Sequence, residues 1–264
     1  MSFQNLFLLI IGLVFFISCD SENKKVVVAI ENKVQEKVPE TDSAQLALEK
    51  WMKSYISDYN VVEKLTEYGD NNPEDKIIIY TNYGIMKLKL YKETALHRAN
   101  FVMLTKKKIF NKSMFYRVIK DFMIQGGNSD DEEIIEKMNR IGSYGIPNEI
   151  NLKYPHKFGA LAMAVSHEDQ ERDKTSSAVN FYIVKGQKLP SSYLDKLKAK
   201  GTRISKKSYN IYLNKGGAAH LDGKYTVFGE LTSGFSVLSR ISKVKTSKYN
   251  WPKKKIVIDS IIAY

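Results

Sequence analysis

The chain has 264 residues, of which 43% are hydrophobic and 27% are charged, a composition that is sufficient for a folded core and excludes wholesale disorder. The mean hydropathy of −0.33 excludes a polytopic membrane protein. A single cysteine excludes an internal disulfide framework and a zinc site built from cysteines. The net charge of +12, from 41 Lys and Arg against 29 Asp and Glu, favours anionic partners without specifying nucleic acid.

The N-terminus carries a targeting pattern. Residues 6–17 form an unbroken apolar run that is too short to span a bilayer and is typical of the hydrophobic region of a signal peptide. The run ends just before Cys19, the only cysteine, and a polar stretch follows. This arrangement resembles a bacterial lipoprotein signal, in which the cysteine is lipidated and becomes the mature N-terminus.

The resemblance implies a signal peptide at residues 1–18, a polar tether at residues 19–42 and a lipid anchor at Cys19. Acyl chains on that cysteine would hold the protein on the periplasmic or surface side of a bacterial cell-envelope membrane. The alternatives are an idle thiol at Cys19 and the end of an ordinary signal peptide.

An N-terminal helix is predicted over residues 43–70, because Leu48, Met52 and Ile56 share one helical face. Gly69 is suited to the end of such a helix. We expect this helix to pack on the main domain rather than to bind a partner.

Short strands dominate beyond residue 70. Two runs flanking a turn predict a β-hairpin with Lys87 and Lys89 facing water, and Thr94 is expected to cap the helix that follows. The pattern predicts a mainly β fold over residues 71–264, a closed antiparallel barrel with helical caps. The predicted strands are Ile77–Tyr80, Met86–Leu90, Met114–Val118, Phe122–Gln125, Gly159–Ala164, Phe181–Val184, Tyr225–Glu230 and Ile256–Ile262, with a further helix at Gly234–Lys243.

The segment Phe115–Gly127, FYRVIKDFMIQGG, resembles the signature of cyclophilin-type peptidyl-prolyl isomerases. Three further segments resemble the family in order and spacing, namely Thr94–Phe101, Gly159–Ala164 and His220–Gly229. The resemblance covers about residues 74–264. It implies an eight-stranded antiparallel barrel capped by two helices, and an enzyme that acts on proline-containing polypeptides without a metal or cofactor.

The chemistry of that reaction needs few groups. Resonance keeps the X–Pro bond planar, with a rotational barrier of about 18–20 kcal/mol. A twisted amide has lost this resonance, so its nitrogen regains a lone pair. A guanidinium can donate a hydrogen bond to that nitrogen, and this bond strengthens only in the transition state. An apolar slot for the proline ring and anchors for the flanking carbonyls complete the requirements.

The resemblance implies a role for each matching residue. Arg117 is the donor, and Gln125 binds the substrate backbone and orients the arginine. The alternatives are a surface role for Arg117 and simple core packing for the pocket residues. The expected substrate-binding residues are Phe122 and Met123 as pocket walls, Tyr182 where the family usually has phenylalanine, Leu221, Tyr225, Asn180, and the backbone of Ala164 and Val165.

Several positions depart from the family pattern. The block that usually reads Gly-Ser-Gln-Phe-Phe is Ala178–Tyr182 here, so Asn180 supplies a shorter amide than glutamine. His220 replaces a tryptophan found in many eukaryotic members. No metal site is expected, because His97, His156 and His167 lack metal-ligand spacing. A catalytic base is not expected either, because the reaction moves no proton.

A basic insertion is predicted at residues 187–219. Its segment Gln187–Lys215 contains eight Lys or Arg and one Asp, a net charge of +7. The interpretations are a solvated, partly helical excursion near the pocket rim, or an electrostatic contact with anionic lipid headgroups or acidic clients.

The sequence is compatible with three functions. The leading hypothesis is a lipid-anchored peptidyl-prolyl isomerase that acts on X–Pro bonds in exported proteins and assists their folding. The second is a chaperone or scaffold that binds proline-containing segments with weak turnover. The third is nucleic-acid binding through the insertion, which an exported location and the lack of an RNA-recognition signature disfavour, so no nucleic-acid partner is expected.

Overall fold

The computed structural model describes residues 40–165 and 174–264, with side chains from residue 43 onward. The chain divides into two units, residues 1–53 and residues 54–264. The described part of the first unit, residues 40–53, lies in helix α1. The predicted signal peptide, Cys19 and the tether lie outside the described residues, apart from the last residues of the tether, which begin α1.

Seven α-helices and eleven strands are assigned within the described residues. The helices are α1 (Glu40–Ser54), α2 (Val61–Asn71), α3 (Ala95–Lys106), α4 (Glu132–Ile141), α5 (Ser191–Ala199), α6 (Lys206–Asn214) and α7 (Phe235–Ile241). The strands are β1 (Ile56–Ser57), β2 (Lys76–Thr81), β3 (Gly84–Leu90), β4 (Ser113–Ile119), β5 (Met123–Gly126), β6 (Gly142–Ser143), β7 (Gly145–Ile146), β8 (Ala160–Val165), β9 (Ser176–Val184), β10 (Val227–Ser233) and β11 (Val257–Ala263).

Eight of these strands form a closed antiparallel barrel. The order is β5-β4-β11-β2-β3-β10-β8-β9, and pairing of β9 with β5 closes the circuit. Closure removes the exposed edges that an open sheet would present. Helix α3 packs against β9 and β11, and α7 packs against β3. The predicted fold, a mainly β barrel with two capping helices, is confirmed.

Alternation of side chains builds the barrel wall. In the β2–β3 hairpin, Met86, Leu88 and Leu90 are buried, whereas Lys87 and Lys89 are exposed, as the sequence pattern predicts. The interior is filled by aromatic rings around Phe101, whose centroid lies 4.9 Å from that of Phe110 and 5.3 Å from that of Phe181. Such ring pairs add to the stabilisation from area burial alone.

The predicted single helix over residues 43–70 is wrong, because the structure divides it into α1 and α2. The break is fixed by Asn60, whose side chain accepts a hydrogen bond from the Ser57 backbone N–H (2.8 Å) and donates one to the Tyr55 carbonyl (3.0 Å). An asparagine that bonds nearby backbone competes with helical hydrogen bonding. Helix α2 packs on α3 through buried Val61, Leu65 and Gly69. The expected packing on the main domain is therefore observed for α2, the second part of the predicted helix.

Thr94 occupies the N-cap position of α3, but its side chain does not cap the helix. Its hydroxyl donates instead to the Tyr91 carbonyl. Glu149 caps the helix from a distant loop, accepting from the backbone N–H groups of Leu96 (3.0 Å) and His97 (2.9 Å). The same carboxylate accepts from Nδ1 of the buried His97 ring at 2.6 Å. A negative charge at this position also favours the helix dipole.

Helix α4 was not predicted, although its sequence carries a start signal. Asp131 accepts hydrogen bonds from the backbone N–H groups of Glu133 and Ile134, and acidic residues fill the first turn. This is the usual chemistry of a helix N-terminus.

The basic insertion folds as the helices α5 and α6. Its apolar side chains form a separate small core in which Leu194 and Tyr212 are fully buried. The partly helical excursion predicted for this segment is therefore observed. Within the described residues, no helix combines the length and the apolarity that a membrane crossing requires.

We predict that Glu149→Gln lowers the free energy of unfolding by about 1–3 kcal/mol, because the buried His97 and the start of α3 lose a charged acceptor. Urea denaturation of the variant measures this change. The matched control is Glu132→Gln, which removes an exposed acid from the first turn of α4 and should change stability by less than about 0.5 kcal/mol. Equal denaturation midpoints for the two variants would contradict the capping role of Glu149.

Candidate active site

One row of paired residues crosses the outer face of the barrel. Arg117 on β4 lies opposite Gln125 on β5, Gln125 lies opposite Tyr182 on β9, and Tyr182 lies opposite Ala162 on β8. Residues directly opposite in antiparallel strands present their side chains on the same face. The register therefore brings the two predicted catalytic residues together with Tyr182, a predicted substrate-binding residue.

A β-bulge at Tyr116 aims the arginine outward. The register of β4 against β5 shifts between Phe115 and Arg117, and Tyr116 is the extra residue. Without the bulge, Phe115 and Arg117 would share a face. With the bulge, Phe115 is buried in the barrel and Arg117 is exposed. Tyr116 lies on the same face as Arg117.

A chain of hydrogen bonds orients the polar groups. Arg117 Nη1 donates to Gln125 Oε1 at 3.2 Å, and Gln125 Nε2 donates to the Tyr116 hydroxyl at 2.8 Å. The Tyr116 hydroxyl donates in turn to Asn180 Oδ1 at 3.0 Å. Both ends of the Gln125 amide are thus engaged. Tyr116 spans the gap left by the shorter side chain at position 180.

Six of the eight predicted substrate-binding residues meet in one hydrophobic cluster that is separate from the barrel core. Met123, Tyr182 and Leu221 are 3%, 5% and 8% exposed and form its floor. Phe122, Ala164 and Tyr225 are partly buried at its edge. The arrangement is an apolar patch beside an exposed guanidinium, which suits an apolar ring next to a polar backbone.

The other two predicted positions, Val165 and Asn180, are partly buried and are not members of this cluster. The register of β8 against β9 shifts between Met163 and Val165, so Ala164 falls at an irregularity in the ladder. Irregular pairing at a sheet position makes strand backbone available to another chain.

Tyr182 carries a hydroxyl group at a position where the family usually has phenylalanine. In the structure this hydroxyl has a hydrogen-bond partner. His156 Nε2 lies 3.0 Å from this hydroxyl, and His156 Nδ1 lies 2.9 Å from Asp222 Oδ1. The Tyr212 hydroxyl donates to Asp222 Oδ2 at 2.6 Å. All four side chains are buried. The network gives each of them a hydrogen-bond partner, and a buried polar group without a partner would destabilise the fold.

The hydroxyl groups around the pocket are neutral at pH 7. Burial raises the pKa of Tyr182 well above its ordinary value of 10. Burial also raises the pKa of Tyr225, and the positive charge of Arg117 opposes that rise. Burial raises the pKa of Tyr116, against the opposing effects of Gln125 and Arg117. Among the predicted site residues, Arg117 is the charged one.

His220 closes one side of the patch, with its ring centroid 5.3 Å from that of Phe122. Burial, and to a smaller extent the neighbouring His156 and Lys224, hold the pKa of His220 below its ordinary value of 6.5. The ring is therefore neutral at pH 7 and acts as a flat, partly polar wall.

The other histidines serve structural roles where they are described. His97 is bonded to Glu149 and Ser176, and His156 to Asp222 and Tyr182. His167 lies outside the described residues. In residues 40–165 and 174–264, no group of three or more His, Cys, Asp or Glu is arranged to hold a metal ion.

Comparison with known proteins agrees with this fold. Residues 76–263 match the family profile "Cyclophilin type peptidyl-prolyl cis-trans isomerase/CLD". A protein of Staphylococcus epidermidis named "Putative peptidyl-prolyl cis-trans isomerase" is 33% identical over 198 residues, which cover 74% of this chain and 93% of that protein. A protein of the same name from Staphylococcus aureus is 31% identical over 209 residues, covering 78% of this chain and 98% of that protein.

A solved structure supports the fold. The cyclophilin-type peptidyl-prolyl cis-trans isomerase of Cryptosporidium parvum superposes with a TM-score of 0.50 at 22% identity, covering 72% of this chain and 98% of that one. The chain belongs to the cyclophilin-type peptidyl-prolyl cis-trans isomerase family and is an enzyme of that class.

Sequence reasoning missed three residues that organise the site. Tyr116 lies within the signature segment, but nothing in the local pattern indicates the bulge that turns it toward Gln125. His156 and Asp222 are 66 residues apart, so their pairing follows only from the fold. The tyrosine at position 182 was the one sequence signal for this pairing, because a buried hydroxyl group requires a hydrogen-bond partner.

We predict that Tyr116→Phe lowers kcat/KM for a proline peptide by about tenfold, because Gln125 and Asn180 each lose a hydrogen bond and are less well oriented. The melting temperature should change little, since the ring remains. The matched control is Trp251→Phe, because Trp251 is a ring neighbour of Tyr116, 6.3 Å away, and has no part in the hydrogen-bond chain. Full activity in Tyr116→Phe would show that the chain is not needed for positioning.

Proposed function

We propose that this protein catalyses rotation about X–Pro bonds in exported polypeptides, that it assists their folding, and that a lipid on Cys19 anchors it in the cell envelope. Uncatalysed X–Pro isomerisation takes tens to hundreds of seconds and limits folding. An isomerase on the far side of the membrane would shorten that step for emerging chains.

The hydrogen-bonded Arg117 beside the apolar patch is the observation that carries the catalytic part of the proposal. The prolyl ring would lie on Met123, Tyr182 and Leu221, and the guanidinium would donate to the prolyl nitrogen as the bond twists. Gln125 holds Arg117 in place and limits its rotamers. Preorganised donors of this kind require no rearrangement in the transition state. No covalent bond is made or broken, so the mechanism needs no nucleophile.

Asn180 has a role in holding the substrate. Tyr116 engages its Oδ1, and among the described residues no acceptor is bonded to its Nδ2. The Nδ2 group can therefore donate to a peptide carbonyl. Tyr116 in this way compensates for the short side chain at position 180.

We predict that Arg117→Ala lowers kcat/KM by roughly 10²–10³, the usual effect of removing one transition-state donor. Arg117→Lys should recover only part of this loss, because lysine keeps the charge but lacks the planar fork. Isomerisation of a proline peptide is measured by NMR exchange, and peptide affinity by fluorescence anisotropy. Affinity should change by less than about threefold in Arg117→Ala, because the apolar patch is intact.

The matched control is Arg140→Ala, which removes an exposed arginine from α4. Comparable turnover in wild type and Arg117→Ala, with both folded, would overturn the catalytic assignment. Peptide binding by the wild type without measurable turnover would favour the alternative function, a chaperone or scaffold for proline-containing segments.

The proposed membrane anchoring through Cys19 has its own test. We predict that the full-length chain, expressed in a bacterium, enters the membrane fraction and carries acyl groups on the peptide that begins at Cys19, as mass spectrometry would detect. Cys19→Ser should lose both properties, because the acyl chains provide the anchor. Ser21→Ala serves as the control. Equal membrane association of Cys19→Ser and wild type would exclude lipidation as the anchor.

A further inference from the structure

A cleft lies next to the apolar patch of Met123, Tyr182 and Leu221, which is called the proline patch below. It has a volume of about 610 Å³ and is walled by the loop after β7, the turn between α5 and α6, and the loop that contains His220 and Asp222. Glycines at positive φ form the turns on two sides, Gly201 at +90° and Gly223 at +77°, and a Cβ on either would meet nothing within 4 Å. The cleft is therefore open at both turns.

The walls of the cleft carry four cations, namely Lys174, Lys200, Arg203 and Lys224. Lys200, Arg203 and Lys224 are exposed, and no ion pair joins them to a carboxylate within the described residues. Lys174 donates to the Gly223 carbonyl.

The described carboxylates nearby are already engaged. The one acid of the insertion, Asp195, accepts from the Tyr209 hydroxyl at 3.0 Å. Asp222, the one acid lining the cleft, is buried and bonded through both oxygens to His156 and Tyr212. Four cations that line one cleft, with no ion pair to a carboxylate in the described part of the chain, produce a positive potential that favours an anionic ligand.

The insertion is fixed relative to the pocket. Tyr212 on α6 donates to Asp222, and the network continues through His156 to Tyr182 on the pocket floor. The backbone N–H of Gly217 donates to the Gln187 carbonyl at 3.1 Å, and that of Ala218 donates to the His156 carbonyl at 2.8 Å. These bonds join the insertion, whose α5–α6 turn carries Lys200 and Arg203, to the loop beside the pocket.

The cleft and the proline patch share a wall. His220 lines the cleft on one side and contacts Phe122 of the patch on the other. We propose that this cationic cleft binds acidic residues flanking the proline of a substrate, so that the enzyme prefers X–Pro bonds in acidic segments. This inference rests on the proposed binding of proline at the neighbouring patch. An acidic polypeptide fits better than a lipid surface, because the cations line a concave cleft that adjoins the patch.

The test compares peptides in which an Ala-Pro unit is flanked by three Asp, three Ala or three Lys residues, with the flank placed before or after the proline. With the full-length chain at low ionic strength, we expect kcat/KM for the better acidic peptide to exceed that of its lysine counterpart by about tenfold, through a lower KM. About 0.5 M NaCl should remove most of the preference by screening.

The triple variant Lys200→Gln/Arg203→Gln/Lys224→Gln should lose the charge preference. The matched control, Lys196→Gln/Lys206→Gln/Lys207→Gln, makes the same change in net charge at exposed positions of the insertion that do not line the cleft. It should keep the preference. An equal loss in both triple variants would indicate long-range attraction and overturn the proposed site.

The outcomes separate this inference from the proposed function. Turnover of the alanine-flanked peptide reports on the isomerase, whereas the acidic-to-basic ratio reports on the cleft. If no peptide is turned over, the same ratio is measured as relative Kd by anisotropy. Equal values for acidic and basic peptides overturn the inference. Binding to vesicles of phosphatidylglycerol and phosphatidylcholine that requires the three cations, with no peptide preference, would assign the cleft to lipid and also overturn it.

Discussion

The hydrogen bond from Arg117 to Gln125 is the interaction on which the proposed chemistry of this barrel's outer face depends. An arginine on a strand samples many rotamers, and a guanidinium that moves freely contributes little to a transition state. Gln125 restricts it from the neighbouring strand, and Tyr116 in turn restricts Gln125. The bulge at Tyr116 makes this possible, because it places two consecutive side chains of β4 on the same outer face, above a single partner on β5.

A second network extends from the pocket floor into the insertion. Tyr182, His156, Asp222 and Tyr212 are buried and come from four separate segments of the chain. Each polar group satisfies another, so a change at one position affects the rest. The basic helices α5 and α6 are therefore part of the architecture around the pocket. Their small core and their bonds to the His220 loop place a cationic cleft beside the apolar patch. Much of the protein's excess positive charge lies in these two helices and the turn between them.

The sequence allowed the barrel and the grouping of most candidate site residues to be predicted, since alternating strands and a long signature segment carry local information. The β2–β3 hairpin and the grouping of Phe122, Met123, Tyr182, Leu221 and Tyr225 agree with the prediction. The break at Asn60 and the capping of α3 by Glu149 were missed for different reasons. Asn60 acts by local side-chain bonding that interrupts an otherwise helical pattern, whereas Glu149 acts across 53 residues to Leu96 and is visible only once the barrel is closed. The bulge at Tyr116 likewise depends on the register of β5 and not on the residues of β4.

The geometry of the bound state would test this interpretation most directly. A crystal structure of the protein with a short proline-containing peptide should show the prolyl ring against Met123, Tyr182 and Leu221, and a guanidinium nitrogen of Arg117 directed at the prolyl nitrogen. The Arg117–Gln125 and Gln125–Tyr116 hydrogen bonds should persist in that complex. A peptide bound elsewhere, or a guanidinium turned away from the prolyl nitrogen while the ring occupies the patch, would contradict the proposed role of Arg117.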